Sequence, residues 1–206
     1  MLYNIGVFIA YFLYKLPFVR EIKGIENIPE KGCIIASNHV SYLDPPIIGF
    51  TLSKKLNRKI HYIAKIELFR PFFSRVAHEL FECIPVDREK KDVSWIKTAK
   101  MYIKMGHMIG IFPEGGRSGS KKLQRGKTGV VRLALAAKAP VIPVGVKGTY
   151  DLWPSSQKFP RIKKMATINI GRPIYYSRYY KKRITKSLLR RLTDELMLKI
   201  GKLTVK

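Results

Sequence analysis

Short apolar runs alternate with longer stretches of helical period along most of this 206-residue chain. β-branched runs at residues 33–38, 60–64, 82–86, 110–113, 141–146 and 165–170 predict strands. Apolar positions recurring at three- and four-residue steps over 45–56, 67–81, 93–105, 126–137 and 177–203 predict helices. That alternation predicts an α/β fold, a single domain with a largely parallel or mixed sheet flanked by helices. One core suits the length, and neither a repeat nor a long linker divides the chain.

Two helical patterns carry more than packing information. In the last one, Ile184, Leu188, Leu192, Leu196 and Ile200 form a single stripe with Arg and Lys elsewhere; the stripe is expected to face the core, leaving the basic face free for lipid. At the other end, residues 1–14 hold no charged side chain, and Lys15 interrupts the run. That is short for a span, which wants about 20 apolar residues. The charged start and small-residue cleavage site of a secretory signal are also missing. Leu2, Ile5, Ile9, Phe12 and Leu16 recur at helical steps, so residues 1–20 are expected to form an amphipathic, membrane-associating helix ahead of a domain over 21–206.

Charge narrows the partners. Forty Lys plus Arg against fourteen Asp plus Glu leave a formal net charge of +26, a field that draws nucleic acid, an anionic bilayer or a phosphorylated substrate. The basic residues cluster at Lys54, Lys55, Arg58 and Lys59, at Lys121, Lys122, Arg125 and Lys127, and from Lys181 to Arg191. No zinc-finger spacing, RNP-like aromatic strand or heptad-bearing basic region accompanies them, so nucleic acid is not expected. Cys33 and Cys83 lie in apolar runs without metal-ligand spacing and read as buried thiols. "HELFE" from His78 has Glu82 where a zinc site needs its second His, His61 and His107 have no recognisable partner, and no metal or cofactor is implied. "GKT" at Gly126 to Thr128 has Lys121 where a phosphate loop needs Gly.

The candidate chemistry begins at "NHVSYLD", where His39 and Asp44 stand five positions apart. Neither a helix nor a strand brings side chains at that spacing together, so the pair requires a turn. A strand ending at Asn38, and Asp44 placed as a helix N-cap before Pro45, would supply one. A carboxylate on one imidazole nitrogen makes the other a better proton acceptor, which suits a general base. Further on, "FPEGGRS" sets Glu114, Gly115, Gly116 and Arg117 at a strand end, and "IPVDR" sets Arg88 at another. Glycines admit close approach of a ligand and a guanidinium suits a phosphate. Three such strand ends are expected to converge at the carboxyl edge of the sheet.

In order and spacing, "NHVSYLD", "IPVDR", "FPEGGRS" and "VIPVGV" resemble the glycerolipid acyltransferases, most of all those acting on 1-acyl-glycerol 3-phosphate, over about residues 20–155. The resemblance implies an enzyme with His39 as general base and Asp44 as its partner. It places the glycerol phosphate acceptor on Arg88, Glu114, Gly115, Gly116 and Arg117, and assigns Pro143 to a strand on the acyl-donor side. Lysophosphatidate is the implied acceptor, acyl-CoA or acyl-carrier protein the donor, and an anionic membrane surface the setting. The enzyme would be peripheral or monotopic on the cytoplasmic face. Gly116 replaces the Thr usual in the third block, a version also seen in glycerol-3-phosphate acyltransferases. Glycerol 3-phosphate and other lysophospholipids are therefore the alternative acceptors, and a basic lipid- or nucleic-acid-binding module is the rival class.

Overall fold

The computed structural model describes residues 2–87, 90, 93–154 and 156–205. Seven strands form one sheet: β1 (Val19–Lys23), β2 (Cys33–Ser37), β3 (Ile60–Lys65), β4 (Ile84–Val86), β5 (Met108–Ile111), β6 (Val141–Lys147) and β7 (Ala166–Ile170). Around it lie α1 (Leu2–Phe18), α2 (Asp44–Leu56), α3 (Phe72–Leu80), α4 (Ser94–Lys104), α5 (Gly129–Ala137), α6 (Thr149–Leu152) and α7 (Lys186–Val205). The strand order is β1-β7-β6-β2-β5-β3-β4. From β6 to β4 every pairing is parallel, while β7 runs antiparallel to β6 and carries β1 parallel to itself.

Covering both faces explains the strand composition. All five residues of β2 are buried, with Ile34 in the core beneath α4, α5 and α7 and Ile35 in the core beneath α2. A central parallel strand buried on both sides therefore reads as a continuous apolar run. Leu192, Leu196 and Ile200 of the predicted α7 stripe are fully buried.

The structure also departs from the sequence expectation. β1, "VREIK", is an additional edge strand in which only Val19 is buried, too little apolar surface to leave a periodic signal. The predicted 67–81 helix is broken. A 3-10 turn over Ile66–Phe69 precedes Pro71, and α3 starts only after it, because proline cannot donate to the turn before it. The last helix begins at Lys186 instead of 177, preceded by a 3-10 turn over Ser177–Tyr179.

α1 packs against α2 through Tyr3, Val7 and Ala10, which are buried. The Tyr3 hydroxyl takes the Ile60 N–H at 3.0 Å. The predicted stripe faces the other way: Ile5, Ile9, Phe12 and Leu16 are exposed, as are Phe8 and Leu13. No described helix is long and apolar enough to cross a membrane.

An imidazole pair, with His61 buried and His107 half-buried, joins the starts of β3 and β5. His61 Nδ1 donates to the Glu82 carbonyl at 3.0 Å, and His61 Nε2 accepts from His107 Nδ1 at 2.9 Å. Burial pushes the His61 pKa down to about 4, and His107 moves the same way. The folded state thus resists protons that the unfolded chain binds from about pH 6.5. The stability that depends on neutral His61 is expected to be fully present above about pH 6.5 and to fall by about 3 kcal/mol as pH drops toward 4. Urea midpoints across pH 4–7, with H61Q flattening the slope, check this; an equal slope in H61Q would exclude His61 as the source.

Candidate active site

β2 leads directly into the site. At its end the Asn38 amide donates to the Val146 carbonyl at 3.0 Å and accepts the Val146 N–H at 2.7 Å. The side chain thereby stands in for a ladder pair and frees the backbone to turn. His39 follows, and Asp44 returns to meet it. Asp44 Oδ2 accepts three hydrogen bonds, from His39 Nδ1 at 3.0 Å, Val40 N–H at 2.7 Å and Ser41 N–H at 2.8 Å.

The expected N-cap role for Asp44 is overturned, because Asp44 is the first residue of α2 and its carboxylate bonds backward to the loop. Pro45 and Pro46 bring no N–H for a cap to satisfy, and Ile47 N–H already bonds the Leu43 carbonyl at 3.0 Å.

The Asp44 side chain is fully buried, and that of His39 is 15% exposed. With Nδ1–H directed at a carboxylate, the neutral imidazole keeps its lone pair on Nε2. The ring stacks on Phe112 at 4.1 Å, and Phe112 stacks in turn on Tyr62 at 5.6 Å. His39 is therefore held in position at its ring, its N–H and its carbonyl.

Those last two anchors come from Glu114 and Ser118 of the "FPEGGRS" motif. His39 N–H donates to Glu114 Oε1 at 2.7 Å, Gln124 N–H donates to Glu114 Oε2 at 2.8 Å, and Ser118 N–H donates to the His39 carbonyl at 2.8 Å. Burial raises the Glu114 pKa, and the two N–H donors offset part of that rise. Both Glu114 oxygens are thus engaged with backbone, and the side chain joins the motifs instead of facing the cavity.

The cavity measures about 940 Å³. Strand ends and α4 give it apolar walls that include Ile63, Leu68, Val86, Trp95 and Ile111, while Arg117, Lys127 and Arg132 bring positive charge. His39, Gly115 and Gly116 line the same space. Cys83 also lines it and is only half-buried, with its thiol pushed up to about 11 by desolvation, so it is a poor nucleophile at neutral pH.

Gly115 has φ +79°, and a Cβ there would lie 2.8–3.0 Å from the end of the Lys127 side chain. The left-handed turn is what calls for glycine, since the flexible end of the lysine can move aside. A Cβ at Gly116 would meet nothing within 4 Å. The Arg117 guanidinium lies 3.5 Å above the Tyr42 ring. That stacking is worth about 0.5–2 kcal/mol and holds the guanidinium at the cavity wall.

Of the residues expected at the site, His39, Gly115, Gly116 and Arg117 share the cavity, and Asp44 stands behind His39. Arg88 lies outside the described residues, although Val86 and Asp87 at the end of β4 line the wall. Pro143 is buried within β6, in register with Ala36, and is not among the cavity's lining residues. Lys127 is a site residue that sequence reasoning missed. Its signal is the "GKT" triplet, which lacks the spacing of a phosphate loop and so carries no weight by itself. Asn38 and Tyr42 stand inside the first motif with nothing local to mark them.

A sequence model of the Acyltransferase family matches residues 19–147. The chain is 35% identical over 151 residues to the 1-acyl-sn-glycerol-3-phosphate acyltransferase of Bacillus subtilis, covering 73% of this chain and 71% of that protein. It is 34% identical over 149 residues to the enzyme of the same name from Pseudomonas aeruginosa, covering 68% and 54%. The crystal structure of the 1-acyl-sn-glycerophosphate (LPA) acyltransferase PlsC from Thermotoga maritima superposes with a TM-score of 0.73 over 98% of this chain and 79% of that one. At 24% identity that likeness establishes the fold. With the family match running from the first strand through the strand that flanks His39's own, the chain belongs to the acyltransferase family.

Proposed function

We propose that this acyltransferase moves an acyl chain from an acyl thioester, acyl-CoA or acyl-carrier protein, to the sn-2 hydroxyl of 1-acyl-glycerol 3-phosphate, giving phosphatidate. The observation that carries the reading is the His39–Asp44 pair opening on a cavity with both apolar walls and cations. The relatives' names supply the acceptor class.

In this mechanism His39 Nε2 takes the proton of the acceptor hydroxyl as its oxygen attacks the thioester carbonyl. The tetrahedral centre then collapses, the C–S bond breaks, and the imidazolium returns the proton to the departing thiolate. Asp44 holds the ring and stabilises the imidazolium, and no acyl-enzyme forms. Arg117, with Lys127 across Gly115, holds the acceptor phosphate and fixes the hydroxyl near Nε2. The apolar wall takes the acyl chain. R117K keeps the charge but loses the planar fork, so it is expected to raise the acceptor KM about tenfold, the scale of one charge-assisted hydrogen bond. Unchanged kinetics would remove Arg117 from the phosphate site.

The enzyme works as a peripheral or monotopic protein on an anionic, cytoplasmic membrane face. Residues 1–20 form the membrane-associating segment and 21–206 the acyltransferase domain. The outward Ile5, Phe8, Ile9, Phe12, Leu13 and Leu16 of α1 support this, and Phe72 and Phe73 of α3 are exposed as well. Glycerol 3-phosphate is the alternative acceptor, because Gly116 stands where the third block usually carries Thr. Purified protein offered each acceptor separately in detergent–lipid micelles, with acyl-CoA or acyl-carrier protein, tests both. Phosphatidate from lysophosphatidate supports the reading, and turnover confined to glycerol 3-phosphate overturns it.

A further inference from the structure

A second large cavity, about 1020 Å³, opens at the opposite end of the sheet from His39 and shares no lining residue with the catalytic one. It lies where β3 and β5 begin, between the first turns of α1 and the last turn of α2. Its chemistry is two-sided. Lys54, Arg58 and Lys59 line it, against Glu30 as the one acidic lining residue among the described residues, while Ile5, Phe8 and Met105 give it apolar surface.

The cations are held in place by different means. Arg58 directs its guanidinium at the carbonyls of Pro29, Lys31 and Gly106, at 2.6 to 3.0 Å. Those neutral acceptors orient the charge without cancelling it. The Lys54 ammonium sits 4.8 Å from the Phe8 ring centre, and that of Lys59 sits 4.9 Å from Tyr3. Lys59 pairs with Glu82, whereas among the described residues no acidic side chain pairs with Lys54 or Arg58. The apolar side continues outward along the exposed face of α1 through Ile9, Phe12, Leu13 and Leu16.

A concave surface that offers uncompensated cations beside an apolar wall fits an anion attached to hydrocarbon better than a free one. We infer that this cavity is a docking site for the headgroup of an anionic phospholipid of the bilayer, separate from the site that binds the acceptor. The headgroup phosphate lies by Lys54 and Arg58, and its acyl chains run beside α1. The inference rests on the membrane setting proposed above but on none of the catalytic assignments. Its consequence is orientation: one enzyme edge is held at the surface while the other turns over substrate.

Sedimentation of the full chain with phosphatidylcholine vesicles, with and without phosphatidylglycerol, tests it. K54Q is expected to weaken binding to the phosphatidylglycerol vesicles about fivefold, the weight of one basic residue near a membrane surface. E30Q is expected to strengthen it, with no pelleting of the variant when vesicles are left out. K181Q, in another basic cluster, is expected to change it less than K54Q, and millimolar inorganic phosphate should not displace the protein. K54Q no weaker than K181Q would mean diffuse charge and overturn the site. So would E30Q without gain. Displacement by phosphate would replace the lipid with a soluble anion and overturn it equally. K54Q should retain wild-type acyl transfer in detergent micelles, which reports folding. If wild-type protein transfers no acyl group to any acceptor, the proposed function falls while vesicle binding still decides this inference.

Discussion

H39A is expected to lower kcat by about 10²- to 10⁴-fold, the range a positioned general base contributes. Both substrates' KM values should change little. The imidazole is one of several groups lining the cavity, and the cations and apolar wall stay in place without it. The companion D44N separates charge from geometry. Its carbonyl oxygen can still accept from Val40 and Ser41 N–H, so the loop keeps its shape, but the imidazolium loses its counter-charge. A drop in kcat with little change in thermal midpoint is expected for D44N. D44A also orphans two buried N–H groups and is expected to lose about 2–5 kcal/mol of stability. Turnover in H39A above a tenth of wild type would sink the general-base assignment.

E114A is expected to be nearly as severe for a different reason. The carboxylate ties His39 N–H to Gln124 N–H, and removing it leaves both donors without their acceptor where the site is only partly open to water. That costs about 1–3 kcal/mol. With one of its two backbone anchors gone, His39 is less firmly placed, and misplacement of about 1 Å can cost about 10²-fold in rate. Chemical denaturation and kcat of E114A and E114Q check this. E114Q is expected to fall between, because its amide supplies one acceptor where two are used. Wild-type stability with only a raised acceptor KM would instead place Glu114 in contact with the acceptor, the role the family resemblance implies.

Much of this arrangement was legible locally. The apolar runs that became β2, β5 and β6 were readable because strands buried on both faces must be apolar throughout, and β3, β4 and β7 were readable as short β-branched runs. The strand end at Asn38 and the helix starting at Asp44-Pro45 were enough to require a corner between His39 and Asp44. β1 was not readable, because "VREIK" buries only Val19 and gains its structure from pairing with β7, far away along the chain. In α1 the apolar stripe was visible, and the structure leaves it outward, as a membrane-associating helix requires; what local pattern did not show is that Tyr3, Val7 and Ala10 on the other side are buried.

The sequence by itself determined residue chemistry and local periodicity: an α/β alternation, a His and an Asp at a turn, a glycine pair beside an arginine, and a strongly basic balance. Tertiary structure decided which of those groups meet. It put β2 between β5 and β6, so that the His39 loop and the Glu114 turn lie side by side. It directed Asp44 backward to the loop, set Lys127 beside Gly115, and left Pro143 away from the cavity walls. Periodicity reports which face of an element is apolar, a property of neighbouring residues. Whether a carboxylate anchors a backbone or faces a substrate depends on which distant N–H groups the packed sheet brings within reach.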